Sequence, residues 1–291
     1  MMEYKNVMAN SLQGFSKVLF LAVTLLLIGS LFHESSMTLI VKWTKFTESY
    51  GHGFLVLGLI FLEIYNKRFE IEFQRPPLAT VLICTALVIA GLICLVVSIK
   101  YEIELIEQAS VYGLWVVTIP LFFSFKALKA LWFPIFFFVF AIPVWDQVNS
   151  LLVVMTSWAV SLMLAHTSIT FHIYENVIEL PFGTLIIADS CSGLRYLIVG
   201  AAMVTYATYI ENLQIKKSLF YILIGVLISV FANWLRVLII TVVAYNSKMQ
   251  SSLVNDHDNF GLILFFIILF PLFLLISRKN KQESAQIEST M

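Results

Sequence analysis

Within seven residues, Asp189-Ser190-Cys191-Ser192-Gly193-Leu194-Arg195, the sequence sets a thiol, a carboxylate, two hydroxyls and a guanidinium at the mouth of a long apolar run. Cys191 is the candidate nucleophile. Ser190, Ser192 and Gly193 suit the start of a helix, and the positive end of a helix favours thiolate over thiol. Arg195 comes four residues later, so in an unbroken helix it shares the face of the thiol. The competing reading is a packed thiol, since free cysteine is often simply buried. Cys84 and Cys94 lie inside one apolar run and read as packing residues. With three cysteines, one of them isolated, no disulfide framework is indicated.

Arg236 sits within Ala232-Asn233-Trp234-Leu235-Arg236-Val237-Leu238-Ile239-Ile240. A guanidinium that deep in an apolar run needs an anion or a polar cavity. It suits the oxyanion formed when a thiolate attacks a carbonyl; the alternative is a structural ion pair with Asp189 or Asp256. Asn233, three residues earlier, shares its helical face. His257 is the candidate general acid and base, or else an ordinary loop histidine between Asp256 and Asp258. His52, in Tyr50-Gly51-His52-Gly53, reads as an interface anchor or a fourth member of the site. With Asp256 and Asp258 beside it, and His52 as a further donor, His257 could also be read as a metal ligand, but zinc wants three or four N, S or O ligands and no second metal-type spacing occurs, so neither metal nor cofactor is expected. His166 and His172 read as surface residues, with contact to substrate as the alternative, and His33 as solvated.

Such chemistry needs elements to position it. Of the 291 residues, 60% are hydrophobic and 12% charged, with a mean hydropathy of +0.91. Soluble domains carry about 25% charged residues, so a soluble globule with one core is excluded. The expected fold class is an all-α polytopic membrane protein. A spanning helix needs about 20 apolar residues, fewer if tilted or buried. Runs at 15–32, 53–65, 78–99, 106–123, 131–143, 192–210, 218–245 and 260–277 give eight spans. The first is read as retained, because no small-residue cleavage site follows it. Residues 144–165 interleave Asp, Asn, Ser and Thr with Leu, Val and Trp, which predicts an amphipathic helix at the interface or lining a cavity. Residues 168–187 alternate and are β-branched, which predicts short strands with turns at Glu175-Asn176 and Pro181-Phe182-Gly183. Bare strands are not viable in lipid, so this segment lies outside the bilayer or under protein. A net charge of zero implies no nucleic-acid footprint.

With the amino terminus in the cytoplasm, twelve Lys and Arg fall in cytoplasmic segments and four in outer ones; Arg195 and Arg236, inside spans, complete the 18. This predicts both termini in the cytoplasm and an even number of spans. The reading divides the chain into a cytoplasmic amino terminus (1–14), a transmembrane domain (15–277) with an outer-face insert at 144–189, and a cytoplasmic tail (278–291). His52, Asp189, Cys191, Arg195 and His257 then lie at the outer ends of spans. Arg236, nine residues before Tyr245, lies roughly 13 Å deep at 1.5 Å per residue and can reach toward the interface. Clustering at one face speaks against a transporter, whose polar groups gather near the midplane. A membrane acyltransferase working through a Cys thioester uses the same Cys and His and stays open.

Taken together, Tyr50-Gly-His52-Gly-Phe-Leu-Val, Asn176-Val-Ile-Glu-Leu-Pro181-Phe-Gly183, Ser190-Cys191-Ser-Gly193-Leu-Arg195-Tyr, Asn233-Trp-Leu-Arg236-Val and His257-Asp-Asn-Phe-Gly261 resemble the exosortases. These are multi-spanning cysteine transpeptidases of Gram-negative bacteria, with archaeosortases as distant relatives. The pieces follow the order of the family from about residue 50 to 265. The resemblance puts the catalytic Cys, Arg and His on Cys191, Arg236 and His257. His52, Asp189, Arg195, Asn233 and Glu179 become supporting or substrate-binding candidates. Tyr-Gly-His stands where a Ser often precedes the His, and Asp189 where the resemblance leads one to expect Glu or another residue. The implied setting is the bacterial inner membrane with the active site facing the periplasm. The implied partners are membrane-anchored proteins with a carboxy-terminal sorting signal: a short motif such as Pro-Glu-Pro, a hydrophobic helix and a basic cluster. A link to exopolysaccharide export is also implied. The acceptor and the oligomeric state are left open, and no additional carboxy-terminal domain is expected.

Overall fold

The computed structural model describes the backbone of residues 2–45, 48–255 and 257–288, and side chains over 14–45, 48–254 and 259–277. The chain falls into two compact units, one of residues 1–46 and 50–144, the other of 47–49 and 145–291.

The first unit holds α1 (Met2–Leu31), α2 (His33–Thr44), α3 (Gly53–Asn66), α4 (Leu78–Lys100), α5 (Glu104–Phe122), α6 (Phe125–Ala130) and α7 (Trp132–Phe137). Pro77, extended at φ −65° and ψ 156°, starts α4, whose 23 residues are long enough to cross a bilayer. A three-residue link with Glu102 at φ +54° folds α5 back against it. The Trp115 indole of α5 donates to the Leu21 carbonyl of α1 at 3.0 Å, a polar tie inside an otherwise apolar contact. The outward residues of α4, such as Leu78 and Val96, are exposed apolar groups, as a lipid-facing helix requires.

The second unit holds α8 (Asn149–Leu164), β1 (His172–Tyr174), β2 (Val177–Leu180), β3 (Gly183–Ile186), α9 (Leu194–Ile210), α10 (Ile215–Asn246), α11 (Ser252–Asn255) and α12 (His257–Glu288). The strands form an antiparallel meander in the order β1-β2-β3, with Tyr174 opposite Val177 and Leu180 opposite Gly183. Both turns have two residues, Glu175-Asn176 and Pro181-Phe182, which confirms the expected strand segment. Ile178 and Leu180 bury one face of the sheet against α8 and α10, together with Val160, Leu164, Val237 and Ala244. The stretch holding α9 is 67% buried, against 17–33% for the other candidate spans, so protein surrounds α9 while the others keep a lipid-facing side. Small residues allow that closeness. A β-carbon at Gly200 would overlap the Ser229 hydroxyl, and one at Gly225 would lie 2.7 Å from Val204.

Among the described residues, seven helical stretches are long and apolar enough to span, and the 14-residue α3 is a shorter apolar helix. Two expectations are corrected here. Residues 131–143 do not span: α7 ends at Phe137, one turn of 3₁₀ helix follows, and Phe133, Phe137, Phe138 and Phe140 are buried in protein. Residues 144–165 do not read as an interfacial helix: Pro143–Leu164 is itself a candidate span of 22 residues. The reason is the direction of its polar stripe. Thr156 and Ser157 face the protein interior, whereas Leu151, Val154, Trp158 and Leu162 are more than half exposed. A helix polar toward its neighbours and apolar outward suits lipid.

Candidate active site

Cys191 closes a 3₁₀ turn, Asp189–Cys191, that follows the sheet. Ser192 then donates its hydroxyl to the Asp189 carbonyl at 2.8 Å and accepts from the Leu194 amide at 3.2 Å. Gly193 has φ +96°, a left-handed conformation that glycine adopts without strain. It caps α9, which starts at Leu194. The chain is therefore not helical from Cys191 to Arg195, and the expected sharing of one helical face by these two residues does not occur.

Two neighbouring helices hold this loop from behind. Asn233 of α10 donates its side-chain amide to the Cys191 carbonyl at 3.0 Å. Thr156 of α8 donates to the Ser192 carbonyl at 3.1 Å and accepts from Asn233 at 3.4 Å. Asn233 and Thr156 are each 1% exposed, and buried hydrogen bonds of this sort rigidify what they hold. The loop's backbone is thus fixed from inside while the Cys191 side chain stays part-exposed. The Ser190 hydroxyl lies 4.0 Å from the sulfur. Asn149, near the start of α8, donates to the Asp189 carboxylate at 2.8 Å, so Asp189 orients the outer edge of the loop.

Arg236 lies one turn beyond Asn233 on α10 and is 1% exposed. Its guanidinium carbon is 5.5 Å from the centre of the Tyr196 ring, and that of Arg195 is 5.4 Å from the same ring. Arg195 also donates to the Tyr196 hydroxyl at 3.5 Å. Two guanidinium groups thus lie against one aromatic ring at the start of α9. Gly261 of α12 closes this cluster. A β-carbon there would run into the Tyr196 hydroxyl and stand 2.5 Å from the Arg236 Nε.

Of the residues nominated from sequence, Cys191, Asp189 and Asn233 meet in one loop network, and Arg195 and Arg236 meet at Tyr196. His257 opens α12, four residues before Gly261; its side chain lies outside the described residues, as does Asp256 entirely. Glu179 is on the exposed face of the sheet, in register with His172 and Thr184. His52 belongs to the first unit. There its Nε2 is 2.8 Å from the Phe140 carbonyl oxygen, and its ring stacks on Tyr50. The adjoining Gly53 leaves room for Trp43, whose indole a β-carbon would overlap. Sequence reasoning missed Thr156, Tyr196 and the packing role of Gly261. The sequence carries a partial signal for Tyr196, which follows Arg195 directly, and none that separates Thr156 from its polar neighbours.

A family model described as transmembrane exosortase matches residues 43–274. No curated protein and no solved structure matches the chain. The matched residues take in the cysteine loop, the Tyr196 cluster and the start of α12, and on that match the chain belongs to the transmembrane exosortase family.

Proposed function

We propose that this protein is a cysteine transpeptidase that cleaves a carboxy-terminal sorting signal of exported proteins through a thioester. Family membership supports a membrane transpeptidase role in sorting. The observation that carries the finer reading is a part-exposed thiol on a loop whose backbone is held by buried Asn233 and Thr156. A nucleophile must be accessible and its backbone must stay fixed.

In this reading the Cys191 thiolate adds to a backbone carbonyl carbon near the signal motif. The oxyanion of the tetrahedral adduct is steadied by Arg236. The carbon–nitrogen bond breaks, His257 gives its proton to the leaving amine, and an acyl thioester remains on Cys191. An acceptor bearing a hydroxyl or amine, or water, then adds to the thioester. Its proton passes to His257, the carbon–sulfur bond breaks, and the thiolate returns. Asn233 acts through the loop and is a positioning residue. Arg195 and Asp189 support the loop or receive a charged part of the substrate.

The extended substrate segment pairs with the strand segment by strand addition, with Glu179 and the Pro181 turn on its path. The substrate's own helix lies in the bilayer beside the enzyme. The charge distribution supports cytoplasmic termini and a periplasmic site. Exchanging residues 131–143 for 143–164 as a span keeps Lys126 and Lys129 on the opposite side from residues 168–191, as the tally requires. Placement in the bacterial inner membrane and a link to exopolysaccharide export belong to the same proposal.

Co-expression with a membrane-anchored reporter ending in such a signal tests it. Processing should vanish in Cys191→Ala and fall by at least about a hundredfold in Arg236→Ala. Unchanged processing in Cys191→Ala sinks the mechanism, and normal processing in Glu179→Ala together with Pro181→Ala removes the strand-addition step.

A further inference from the structure

Beside Cys191, between the sheet and α10, lies a cavity of about 50 Å³. Its walls include Ile178 and Ile187 from the strand segment and Val237, Ile240 and Thr241 from α10, with Cys191 among the lining residues. Thr241 is fully buried and donates its hydroxyl to the Val237 carbonyl at 2.8 Å, so its polar atom is already satisfied within the helix. None of the described lining residues is charged. A pocket of this character rejects charged and hydrogen-bonding side chains, which would lose water without a partner. It favours an apolar group that restores the missing packing contacts. A cavity of this volume suits a small aliphatic side chain such as Val or Pro better than an aromatic ring.

We propose that this cavity receives the side chain of the residue whose carbonyl Cys191 attacks, and that it selects a small aliphatic one. The inference rests on the reading of Cys191 as nucleophile. The cavity adjoins the thiol, and it is bounded by the strand segment along which the substrate is proposed to run. Val237 directly follows Arg236, so the subsite and the proposed oxyanion group come from one turn of α10. Selection then happens where bonds change, and a bulky residue at that position is held away from the sulfur.

The purified full-length protein tests this without knowledge of the natural substrate. Alkyl methanethiosulfonates react with a thiolate to give a mixed disulfide and methanesulfinate, and the alkyl group is carried to the position beside the sulfur. Isopropyl and benzyl reagents are compared by mass spectrometry of the Cys191 peptide. The isopropyl reagent should react at least about tenfold faster, the scale on which apolar pockets discriminate. Ile240→Ala, which enlarges the cavity, should close most of that gap by raising the benzyl rate. Should that variant fail to fold, Val237→Ala serves the same purpose. A wild-type ratio near one, or a ratio unmoved in a folded enlarged variant, overturns the subsite. In cells, the residue at the new carboxy terminus of the processed reporter should be small and aliphatic, and an aromatic or charged residue there also overturns it. The two failures are distinguishable. Processing that persists in Cys191→Ala sinks the nucleophile reading, whereas processing lost in Cys191→Ala with size-blind labelling sinks the subsite alone.

Discussion

A β-carbon at Gly193 would stand 2.8 Å from the side-chain amide of Asn233, the same amide that donates to the Cys191 carbonyl at 3.0 Å. The glycine and the asparagine are one device. Gly193 supplies a left-handed turn and an open approach, and Asn233 uses that approach to hold the loop. Gly193→Ala meets both penalties. The conformation alone costs roughly 1–2 kcal/mol, and the methyl group displaces Asn233. Reporter processing should drop at least about tenfold in protein that still inserts in the membrane. Processing within a factor of two, read by immunoblot, would count against it.

Asn233 and Thr156 should behave as a coupled pair. Each holds a loop carbonyl and they contact one another. Asn233→Ala should cost about 1–3 kcal/mol, the usual result of leaving a buried group unpaired. Thr156→Val, nearly isosteric, should cost less. The double variant should miss additivity by at least about 0.5 kcal/mol. Thermal melts of the four proteins in detergent close the cycle.

Gly261 is predicted to tolerate no side chain. Gly261→Ala forces apart α12 and the Tyr196–Arg236 contact, and should lower both the melting temperature and processing. Gly113→Ala is the internal control, because open space surrounds that position. Relieved of glycine's backbone entropy, that helix should gain up to about 1 kcal/mol. Similar melting shifts in the two variants would refute the packing role.

In the first unit, two polar contacts near each other should differ in weight. Lys42 pairs with Glu104 at 2.9 Å, with side chains 23% and 37% exposed. Glu104→Gln should change stability by no more than about 1 kcal/mol, as for other accessible pairs. Trp43 is buried, donates to the Ala141 carbonyl at 2.9 Å and fills the space that Gly53 leaves. Trp43→Ala should cost about 3–5 kcal/mol. Comparable losses in both variants, measured by thermal unfolding in detergent, would contradict this ranking.

The sequence by itself determined the solvent. A chain 60% hydrophobic and 12% charged has to satisfy its backbone in helices that match a bilayer. The alternating residues of 168–187 and their turn residues sufficed for the three strands, because strand periodicity and two-residue turns are local properties. The motif residues were legible too, since a thiol among small polar residues and an arginine inside an apolar run stand out without coordinates. What it could not decide was direction. Polar residues repeat along α8 whether they face water or protein, and only packing shows Thr156 turned inward to the Ser192 carbonyl, 36 residues away. The start of α9 was likewise undecided, because Gly193 is compatible with a helix in sequence, and only the structure shows it left-handed before Leu194, with Asn233, 40 residues on, within 3 Å of where a β-carbon would stand. Spacing along one chain fixes local periodicity. Which side chains meet across helices is set by close packing, and here the tertiary structure alone decided it.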